Sequence, residues 1–360
     1  MARRTSFSTE GAAGNGKRKG VILGIDIGGT KCAVTIGIEG SPPEILLRRS
    51  FATAEAPDPE QALPRLAQLC RESLAEVFAE VGGAVAGDTV GAEAGNEAGG
   101  ADRAELAGIG ISCGGPLDSR RGMILSPPNL PGWNEVPVVR FFGDRFDVPI
   151  RLQNDANACA LAEWRWGAAR GSRSAIFLTF GTGLGAGIVL DGQLYDGVSS
   201  MAGEVGHLRL ADFGPVGYGK AGSWEGFCSG GGIAQLARSL ALEKLQAGES
   251  VGFCRGVEDL ERIDAKATAE AALAGDPVAA SVFELSGSYL GRGLSLLIDI
   301  LNPETIVVGG IFARCEALLR PAMERVIERE SLSRSRAVCS IVPAALGENV
   351  GDYAALALAQ

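Results

Sequence analysis

The sequence predicts an α/β fold made of two similar halves. Segments typical of strands alternate with segments typical of helices along the 360 residues, a pattern that favours α/β architecture. A β-branched strand, a Gly/Thr turn and a returning strand occur twice, at 21–38 and at 174–190. The length corresponds to about two domains of ~150 residues. We therefore predict a duplicated α/β unit.

The first half opens with a polar segment and a strand pair. Residues 1–20 are rich in Arg and Lys and contain no apolar stretch, so we expect a disordered tail and no secretory signal. The β-branched run at 21–27 predicts a strand, the Gly-Gly-Thr sequence at 28–30 predicts a turn, and residues 32–38 predict a returning strand.

The rest of the first half alternates between helix and strand patterns. Apolar residues recur at helical spacing from 62 to 81 and predict a helix. The Gly-, Ala- and acid-rich segment 82–104 predicts a flexible surface insertion. Strands are predicted at 106–112 and 148–152, before a helix that continues through Trp166.

The second half repeats the opening pattern and then continues the alternation. Its predicted elements are strands at 174–180 and 186–190, helices at 233–246 and 277–300, a strand at 305–308, a further helix, a strand at 338–342 and a last helix at 353–359. The expected domains are an N-terminal lobe at 21–152, completed by a C-terminal helix at 351–360, and a C-terminal lobe at 153–350.

Composition argues against several classes of protein. The 33 Lys and Arg residues against 43 Asp and Glu residues give a net charge of −10, which disfavours nucleic-acid binding and a polybasic membrane anchor. No apolar run approaches the ~18 residues of a membrane-spanning helix, so a cytoplasmic location is expected. The 8 cysteines are scattered without a Cys-x-x-Cys pair, which predicts buried free thiols and no disulfide framework.

The first Gly/Thr turn has the chemistry of a phosphate site. It contains Gly28, Gly29, Thr30 and Lys31, and it follows Asp26 at the end of the first strand. Glycines let backbone N–H groups approach an anion, while the hydroxyl and the ammonium group add a hydrogen bond and charge. Asp26 is suited to hold a hydrated Mg²⁺. Alone, the turn is equally typical of an ordinary hairpin.

A second turn of the same kind contains Gly181, Thr182 and Gly183. It returns as a strand instead of opening a helix, which disfavours a dinucleotide-binding site of the Rossmann type. Two such turns at equivalent places suggest that one holds the β-phosphate and the other the γ-phosphate of a nucleotide. Gly309 and Gly310 form a third point of close approach, suited to adenosine or to the start of a helix.

Asn154 and Asp155 follow the predicted strand at 148–152. Either side chain could simply cap the next helix. The alternative is that Asp155 acts as a general base that accepts a proton from a substrate hydroxyl.

A glycine-flanked loop carries the single histidine of the chain. Glu204 and His207 lie in this loop, and Glu225 follows it. A lone histidine is usually structural and an isolated glutamate is usually a solvated surface group. The glycine spacing nevertheless favours a loop in which Glu204 and His207 grip neighbouring hydroxyl groups, with Glu225 as a further carboxylate.

Taken together, these motifs resemble the ROK family of sugar kinases, within the hexokinase and actin-like ATPase superfamily. The resemblance runs in order from about Val21 to the C-terminus. It rests on Asp26-Ile-Gly-Gly-Thr-Lys31, Phe180-Gly-Thr-Gly-Leu-Gly-Ala-Gly187 and Val307-Val-Gly-Gly310 for the nucleotide, and on Asn129-Leu-Pro-Gly-Trp133, Asn154-Asp155, Gly203-Glu-x-Gly-His207 and Glu225 for the sugar.

The resemblance implies a two-lobed actin-like ATPase fold of the duplicated, ribonuclease H-like type. It implies ATP-dependent phosphorylation of a hexose at its 6-hydroxyl, with Mg²⁺ bound through ATP near Asp26 and with Asp155 as the base. The sugar hydroxyls would be held by Asn154, Glu204, His207 and Glu225, with help from Asn129. A homodimer is also expected from the family.

The sequence departs from the family at a zinc site. The family usually follows its histidine with Cys-x-Cys-Gly-x-x-Gly-Cys-x-Glu, whereas this chain has Val216, Tyr218 and Ser223 at the three cysteine positions. Structural zinc sites take most of their ligands from Cys and His. We therefore expect no zinc.

The function that this resemblance implies is that of a sugar kinase, with glucokinase as the predicted activity. An N-acetylmannosamine or N-acetylglucosamine kinase is the alternative among enzymes. A sugar-sensing regulator without catalysis is the alternative of another class, since many ROK relatives are repressors with an N-terminal DNA-binding domain. Twenty mostly polar residues before the first strand are too few for such a domain, and both phosphate motifs and Asp155 are present.

Overall fold

A computed structural model describes residues 20–82 and 104–360 of the chain. The chain forms two compact units. The first unit extends to Trp166 and also includes 197–201 and 349–360, whereas the second contains 167–196 and 202–348. Apart from Gly20, Gly82 and Ala104, the expected disordered tail and the expected insertion lie outside the described residues.

The first unit is built on a five-stranded sheet. Strand order is β3-β2-β1-β4-β7, with β1, β2 and β3 antiparallel and with β4 and β7 parallel to β1. Its elements are β1 (Gly20–Ile27), β2 (Lys31–Ile38), β3 (Glu44–Ala52), α1 (Pro59–Val81), β4 (Glu105–Cys113), the short strands β5 (Leu117–Asp118) and β6 (Met123–Ile124), α2 (Val138–Gly143), β7 (Ile150–Asn154), α3 (Asp155–Trp166) and the last helix of the chain, α10 (Val350–Leu358).

The register of this sheet aligns the carboxyl ends of its three parallel strands. Ile27 of β1 pairs with Cys113 of β4, which in turn pairs with Asn154 of β7. β1 is buried on both faces, so a slip by one residue would exchange the side chains that pack on the two faces. The sheet therefore carries Asp26 and Asp155 to the same edge of the first unit.

The second unit repeats this topology. Its sheet has the order β10-β9-β8-β13-β14, with β8, β9 and β10 antiparallel and with β13 and β14 parallel to β8. Its elements are β8 (Ala175–Phe180), β9 (Leu184–Leu190), β10 (Gln193–Leu194), the hairpin strands β11 (Val216–Gly217) and β12 (Lys220–Ala221), α4 (Trp224–Phe227), α5 (Gly230–Gln246), α6 (Ala265–Leu273), α7 (Pro277–Leu301), β13 (Thr305–Val308), α8 (Ile311–Glu330), α9 (Ser333–Ala337) and β14 (Ser340–Pro343). The predicted duplicated α/β fold is confirmed.

Helix α10 packs on the sheet of the first unit at positions where the strands have no side chain. A Cβ atom on Gly24 of β1 would lie 2.7 Å from the Cβ of Ala355, and one on Gly110 of β4 would lie 2.0 Å from the Ala355 carbonyl oxygen. The helix is also held by ion pairing, because Arg48 Nε lies 2.7 Å from Asp352 Oδ1. The last residues of the chain therefore complete the core of the first unit.

The structure extends or adds several elements. The first unit continues past the predicted boundary at 152, because β7 pairs with β4 and α3 packs against α10. The edge strand β3 is not among the predicted elements, since its half-buried residues lack a clear two-residue alternation. In the described part of the chain, no helix combines the length and the apolar character needed to cross a membrane.

Candidate active site

The first Gly/Thr turn joins β1 to β2 at the edge where the parallel strands end. The N–H of Gly28 donates to the Lys31 carbonyl oxygen at 3.1 Å, which closes the turn. The Thr53 hydroxyl donates to the Gly28 carbonyl oxygen at 2.6 Å. Gly29, Thr30 and Lys31 are exposed, so their backbone and side chains are open to a ligand.

Asn154, and not Asp155, caps helix α3. The N–H of Asn157 donates to Asn154 Oδ1 at 2.7 Å, and Asn154 is buried. Asp155 Oδ1 accepts from the N–H of the next residue, Ala156, at 2.8 Å. Its side chain is exposed while the side chain of Asn154 is not. Because the cap is already supplied, Asp155 is available for another task.

Protein surroundings raise the pKa of both aspartates at this edge. Although Asp155 is accessible to solvent, the surrounding protein still desolvates its carboxyl and raises its pKa, and the N–H groups of Ala156 and of Asp155 itself oppose part of that rise. Burial, followed by the negative charges of Asp155 and Asp352, raises the pKa of Asp26 from 3.8 to about 6, against the positive charges of Lys31 and Arg48. Two acidic groups with raised pKa values at one sheet edge are typical of a functional site.

Asn129 lies directly against the first phosphate turn. A Cβ atom on Gly29 would be 2.6 Å from the Asn129 carbonyl oxygen and 2.7 Å from its Cβ. The segment that carries Asn129 is fixed by Trp133, which is fully buried and donates from Nε1 to the Pro57 carbonyl oxygen at 2.9 Å. The structure therefore brings together Asp26, the turn, Asn129, Asn154 and Asp155 within the first unit.

The second turn, between β8 and β9, is joined to Glu225. The N–H of Leu184 donates to Glu225 Oε2 at 3.1 Å, and a Cβ atom on Gly183 would lie 2.9 Å from the same oxygen. Thr182 at the tip is exposed, and no atom lies within 4 Å of a Cβ placed on Gly181. The turn thus has free space at Gly181 and a carboxylate neighbour at Gly183.

Gly309 and Gly310 lie beside the same turn. A Cβ atom on Gly310 would be 2.2 Å from the Phe180 carbonyl oxygen, and its φ of +65° favours glycine. The N–H of Gly309 donates to the Leu178 carbonyl oxygen at 2.9 Å. Helix α8 begins immediately afterwards, so the two glycines form both a helix start and a neighbour of the second turn.

Glu204 and His207 occupy a loop that packs against β9. A Cβ atom on Gly203 would lie 1.9 Å from the Ala186 carbonyl oxygen, and one on Gly206 would lie 2.2 Å from that of Leu184. Glu204 is exposed and His207 is half-buried. The close approach of the two glycines fixes the backbone that carries both side chains.

The residues at the family's zinc positions do not fit zinc. Val216 offers no ligand atom, and Ser223 Oγ accepts from the N–H of Gly226 at 3.1 Å as the cap of α4. Cys228 is fully buried and donates from Sγ to the Ser286 carbonyl oxygen at 3.4 Å. Across residues 20–82 and 104–360, no group of three or more His, Cys, Asp or Glu side chains is arranged to hold a metal ion.

Comparison with known proteins settles the family. The sequence model of the ROK family matches residues 98–360. The chain belongs to the ROK family. Its fold is the duplicated, ribonuclease H-like fold of the actin-like ATPases, as the resemblance implied.

Similar ROK proteins include kinases and regulators. A glucokinase from Halalkalibacterium halodurans is 33% identical over 253 residues, which cover 69% of this chain and 74% of that protein. A ROK glucokinase from Streptomyces griseus, solved with glucose and AMPPNP, has a TM-score of 0.68 at 29% identity and covers 94% of this chain and 99% of that one. A ROK transcriptional regulator, a homologue of the E. coli MLC protein, has a TM-score of 0.74 at 25% identity, with 94% and 77% coverage.

Sequence reasoning missed two parts of this ROK site. Arg48 and Asp352, which influence the pKa of Asp26, lie 304 positions apart, and no local pattern connects them. The start of α5 was also missed. Its Gly230 N–H donates to the Gly181 carbonyl oxygen at 2.8 Å, beside the second turn. Ser229 before three glycines was the available signal, since Ser is a preferred helix cap.

Proposed function

We propose that this ROK protein catalyses ATP-dependent phosphorylation of a hexose at its 6-hydroxyl, with glucose as the predicted substrate. The observation that carries the proposal is that Asn154 and Asp155, although adjacent, have different roles in the structure. Because Asn154 caps α3, the exposed Asp155 carboxylate is not needed for the helix. The glucokinase relatives support the choice of sugar.

Asp155 would act as the general base. The Ala156 N–H orients Oδ1, and the solvent-accessible carboxylate would accept the proton of the sugar hydroxyl. A carboxylate whose pKa is raised by the surrounding protein accepts a proton more readily than an ordinary aspartate. Deprotonating the 6-hydroxyl as it attacks the γ-phosphate makes it a better nucleophile.

The two turns would bind the phosphates of ATP. The first is closed by the Gly28 N–H and offers a phosphate the Gly29 N–H, the Thr30 hydroxyl and the Lys31 ammonium group. The second offers Gly181, Thr182 and Gly183, while Gly309 and Gly310 would face the adenosine. Phosphoryl transfer depends mainly on positioning and on neutralisation of charge, which donors of this kind supply.

Asp26 fits a role beside Mg²⁺. It is a partly buried carboxylate next to Asp155, and a cation would relieve their repulsion. Mg²⁺ is commonly held by one or two carboxylates, water and substrate phosphates, so a cluster of three protein ligands is not required. When bound, the ion would neutralise charge on the phosphates.

Five polar side chains would hold the sugar. A hexose presents many hydroxyl groups and little charge, so amides, carboxylates and imidazole suit it. The proposed residues are Asn129, Asn154, Glu204, His207 and Glu225. Glu225 Oε2 already accepts from Leu184, which leaves Oε1 for a hydroxyl group and ties the sugar contact to the second turn.

An assay across a panel of hexoses tests the proposal. ADP release would be measured with ATP, Mg²⁺ and glucose, mannose, fructose, N-acetylglucosamine or N-acetylmannosamine. We expect the highest kcat/KM with glucose. Higher kcat/KM with an N-acetylated sugar would select the acylhexosamine kinase alternative. No turnover with any sugar, together with sugar-dependent binding to promoter DNA in a gel shift, would contradict the proposal and indicate a regulator.

A further inference from the structure

The hairpin formed by β11 and β12 contacts the only histidine of the chain. The ring of Tyr218, at the tip of the hairpin, lies edge-to-face against the ring of His207, with 5.1 Å between centroids and 82° between planes. Lys220, two residues later, donates from Nζ to the His207 carbonyl oxygen at 2.7 Å. The hairpin therefore touches both the side chain and the backbone of His207.

The conformation of Tyr218 is unfavourable for a tyrosine. Tyr218 and Gly219 form a two-residue turn with φ values of +44° and +75°. Turns with two positive φ values favour Asn-Gly, because a bulky side chain is disfavoured in the left-handed region. Tyr218 is also 67% exposed, so burial in the core does not account for it. The contact that its ring makes is with His207.

The hairpin is anchored at its base by a side chain of α5. Val216 donates from its N–H to Gln235 Oε1 at 2.9 Å and accepts at its carbonyl oxygen from Gln235 Nε2 at 2.9 Å. Gln235 belongs to α5, which begins beside the second turn. A fixed base of this kind lets the tip hold an imidazole in one orientation.

The ring nitrogens of His207 are left for a ligand. Among the side chains and backbone groups of 20–82 and 104–360, none forms a hydrogen bond with either nitrogen. The ring is thus fixed by Tyr218 while its polar atoms stay available.

From this geometry we propose that Tyr218 and Lys220 are positioning residues that orient the His207 imidazole toward the hydroxyl groups of the sugar. The inference rests on the proposed function, in which His207 binds the sugar. The β11–β12 hairpin would thus position His207 in the segment where the family's zinc ligands are missing. Tyr218, which stands at one of the family's cysteine positions, acts through ring packing, and Lys220, which does not, adds one hydrogen bond.

A substitution that favours the turn separates positioning from stability. Tyr218→Asn removes the ring and places a preferred residue at the positive φ, so the variant should unfold at the same temperature as the wild type or higher. We expect its KM for glucose to rise about 3- to 10-fold, the range that corresponds to the loss of one aromatic pair. KM for ATP should not change. Tyr218→Phe keeps the ring and should restore the wild-type KM.

A second pair of variants tests the hydrogen bond from Lys220 to the His207 carbonyl oxygen. Lys220→Met removes the donor to His207 and should raise KM for glucose. Arg209→Met is the control, because Arg209 donates to the Ala221 carbonyl oxygen of the same hairpin without contacting His207. Equal effects of the two variants would overturn the assignment of Lys220.

Nuclear magnetic resonance of the single histidine tests the contact independently of activity. In tag-free protein the imidazole Hε1 resonance belongs to His207 alone. It should shift in Tyr218→Asn and stay near its wild-type position in Tyr218→Phe. A shifted resonance with an unchanged glucose KM, in an enzyme that phosphorylates glucose, would overturn the inference and leave the proposed function intact. A wild-type protein that phosphorylates no sugar would instead overturn the proposed function, and the sugar-positioning role with it.

Discussion

At the carboxyl end of β7, two adjacent side chains have different surroundings. Asn154 is buried and accepts from the N–H of Asn157, whereas Asp155 is exposed and accepts from the N–H of the neighbouring Ala156. The sequence indicated that one of them caps α3 but not which one. The choice depends on which side chain the strand turns inward, and this is set by pairing with β4.

Asp155→Asn should reduce kcat by at least ~10²-fold, the contribution of a general base. Thermal stability should change little, since the cap on α3 is retained. Asn154→Ala is the contrasting variant and should lower the free energy of unfolding by about 1 kcal/mol. Steady-state kinetics and thermal unfolding of both variants check this. A near wild-type kcat in Asp155→Asn would show that Asp155 is not the base.

Asp26 should make stability depend on pH. Its pKa is about 6 in the folded protein against an ordinary 3.8, so the folded state binds the proton more tightly than the unfolded state. Its contribution to stability is therefore fully present below pH 3.8 and is lost as the pH rises through 6. Asp26→Asn, which mimics the protonated form, should raise the free energy of unfolding at pH 7.5 by up to about 3 kcal/mol and have little effect at about pH 3.5.

Thermal unfolding without Mg²⁺ or nucleotide measures this difference. Asp147→Asn, at an exposed aspartate of the same unit, controls for the change in net charge. If Asp26→Asn raises the free energy of unfolding equally at both pH values, the Asp26 pKa is not raised by folding.

At the scale of elements, the strand–turn–strand pairs were the most predictable part of the chain. β-branched runs joined by glycines specify a hairpin locally, and β1–β2 and β8–β9 match the predicted positions to within two residues. The start of α5 was three residues too late in the prediction, because glycine is a poor helix former. The contact between Glu225 and Leu184 spans 41 residues and has no local signal.

The glycine turns differ in how they respond to an added side chain. Gly29 packs against Asn129 and Gly183 against Glu225, so substitution at either would also disturb a proposed sugar ligand. Gly181 has no atom within 4 Å of its Cβ position. It is therefore the position at which phosphate binding can be tested alone.

Gly181→Val should raise KM for ATP at least about 10-fold and leave the melting temperature and the glucose KM near their wild-type values, because only a bound phosphate would meet the new side chain. Gly143→Val is the matched control, since Gly143 also has open space around it and lies at the end of α2. Unchanged nucleotide kinetics in a folded Gly181→Val protein would mean that the second turn is only a hairpin.

At the scale of the whole molecule, the duplicated topology could be predicted from the sequence. The set of chain segments that makes up each unit could not. The repeated strand–turn–strand pattern is visible along the chain. The membership of 197–201 and 349–360 in the first unit arises from long-range packing, such as the 2.8 Å hydrogen bond between the hydroxyl groups of Ser119 and Ser200.

We expect protein purified without chelator to contain no stoichiometric zinc. The side chains at Val216, Tyr218 and Ser223 do not form a zinc site, and the segment is held by hydrogen bonds and packing. Metal analysis of the tag-free chain checks this, and a chelator should leave the melting temperature unchanged. One zinc per chain would contradict the prediction.

The position of α10 in the chain also affects how the protein is made. The ribosome synthesises β1 and β4 early, but the helix that covers Ile22, Gly24 and Gly110 is made only after the whole second unit. The nascent first unit therefore holds an uncovered apolar sheet face while residues 167–348 emerge. We therefore expect the second unit to finish folding before the first, although the first begins to be translated earlier.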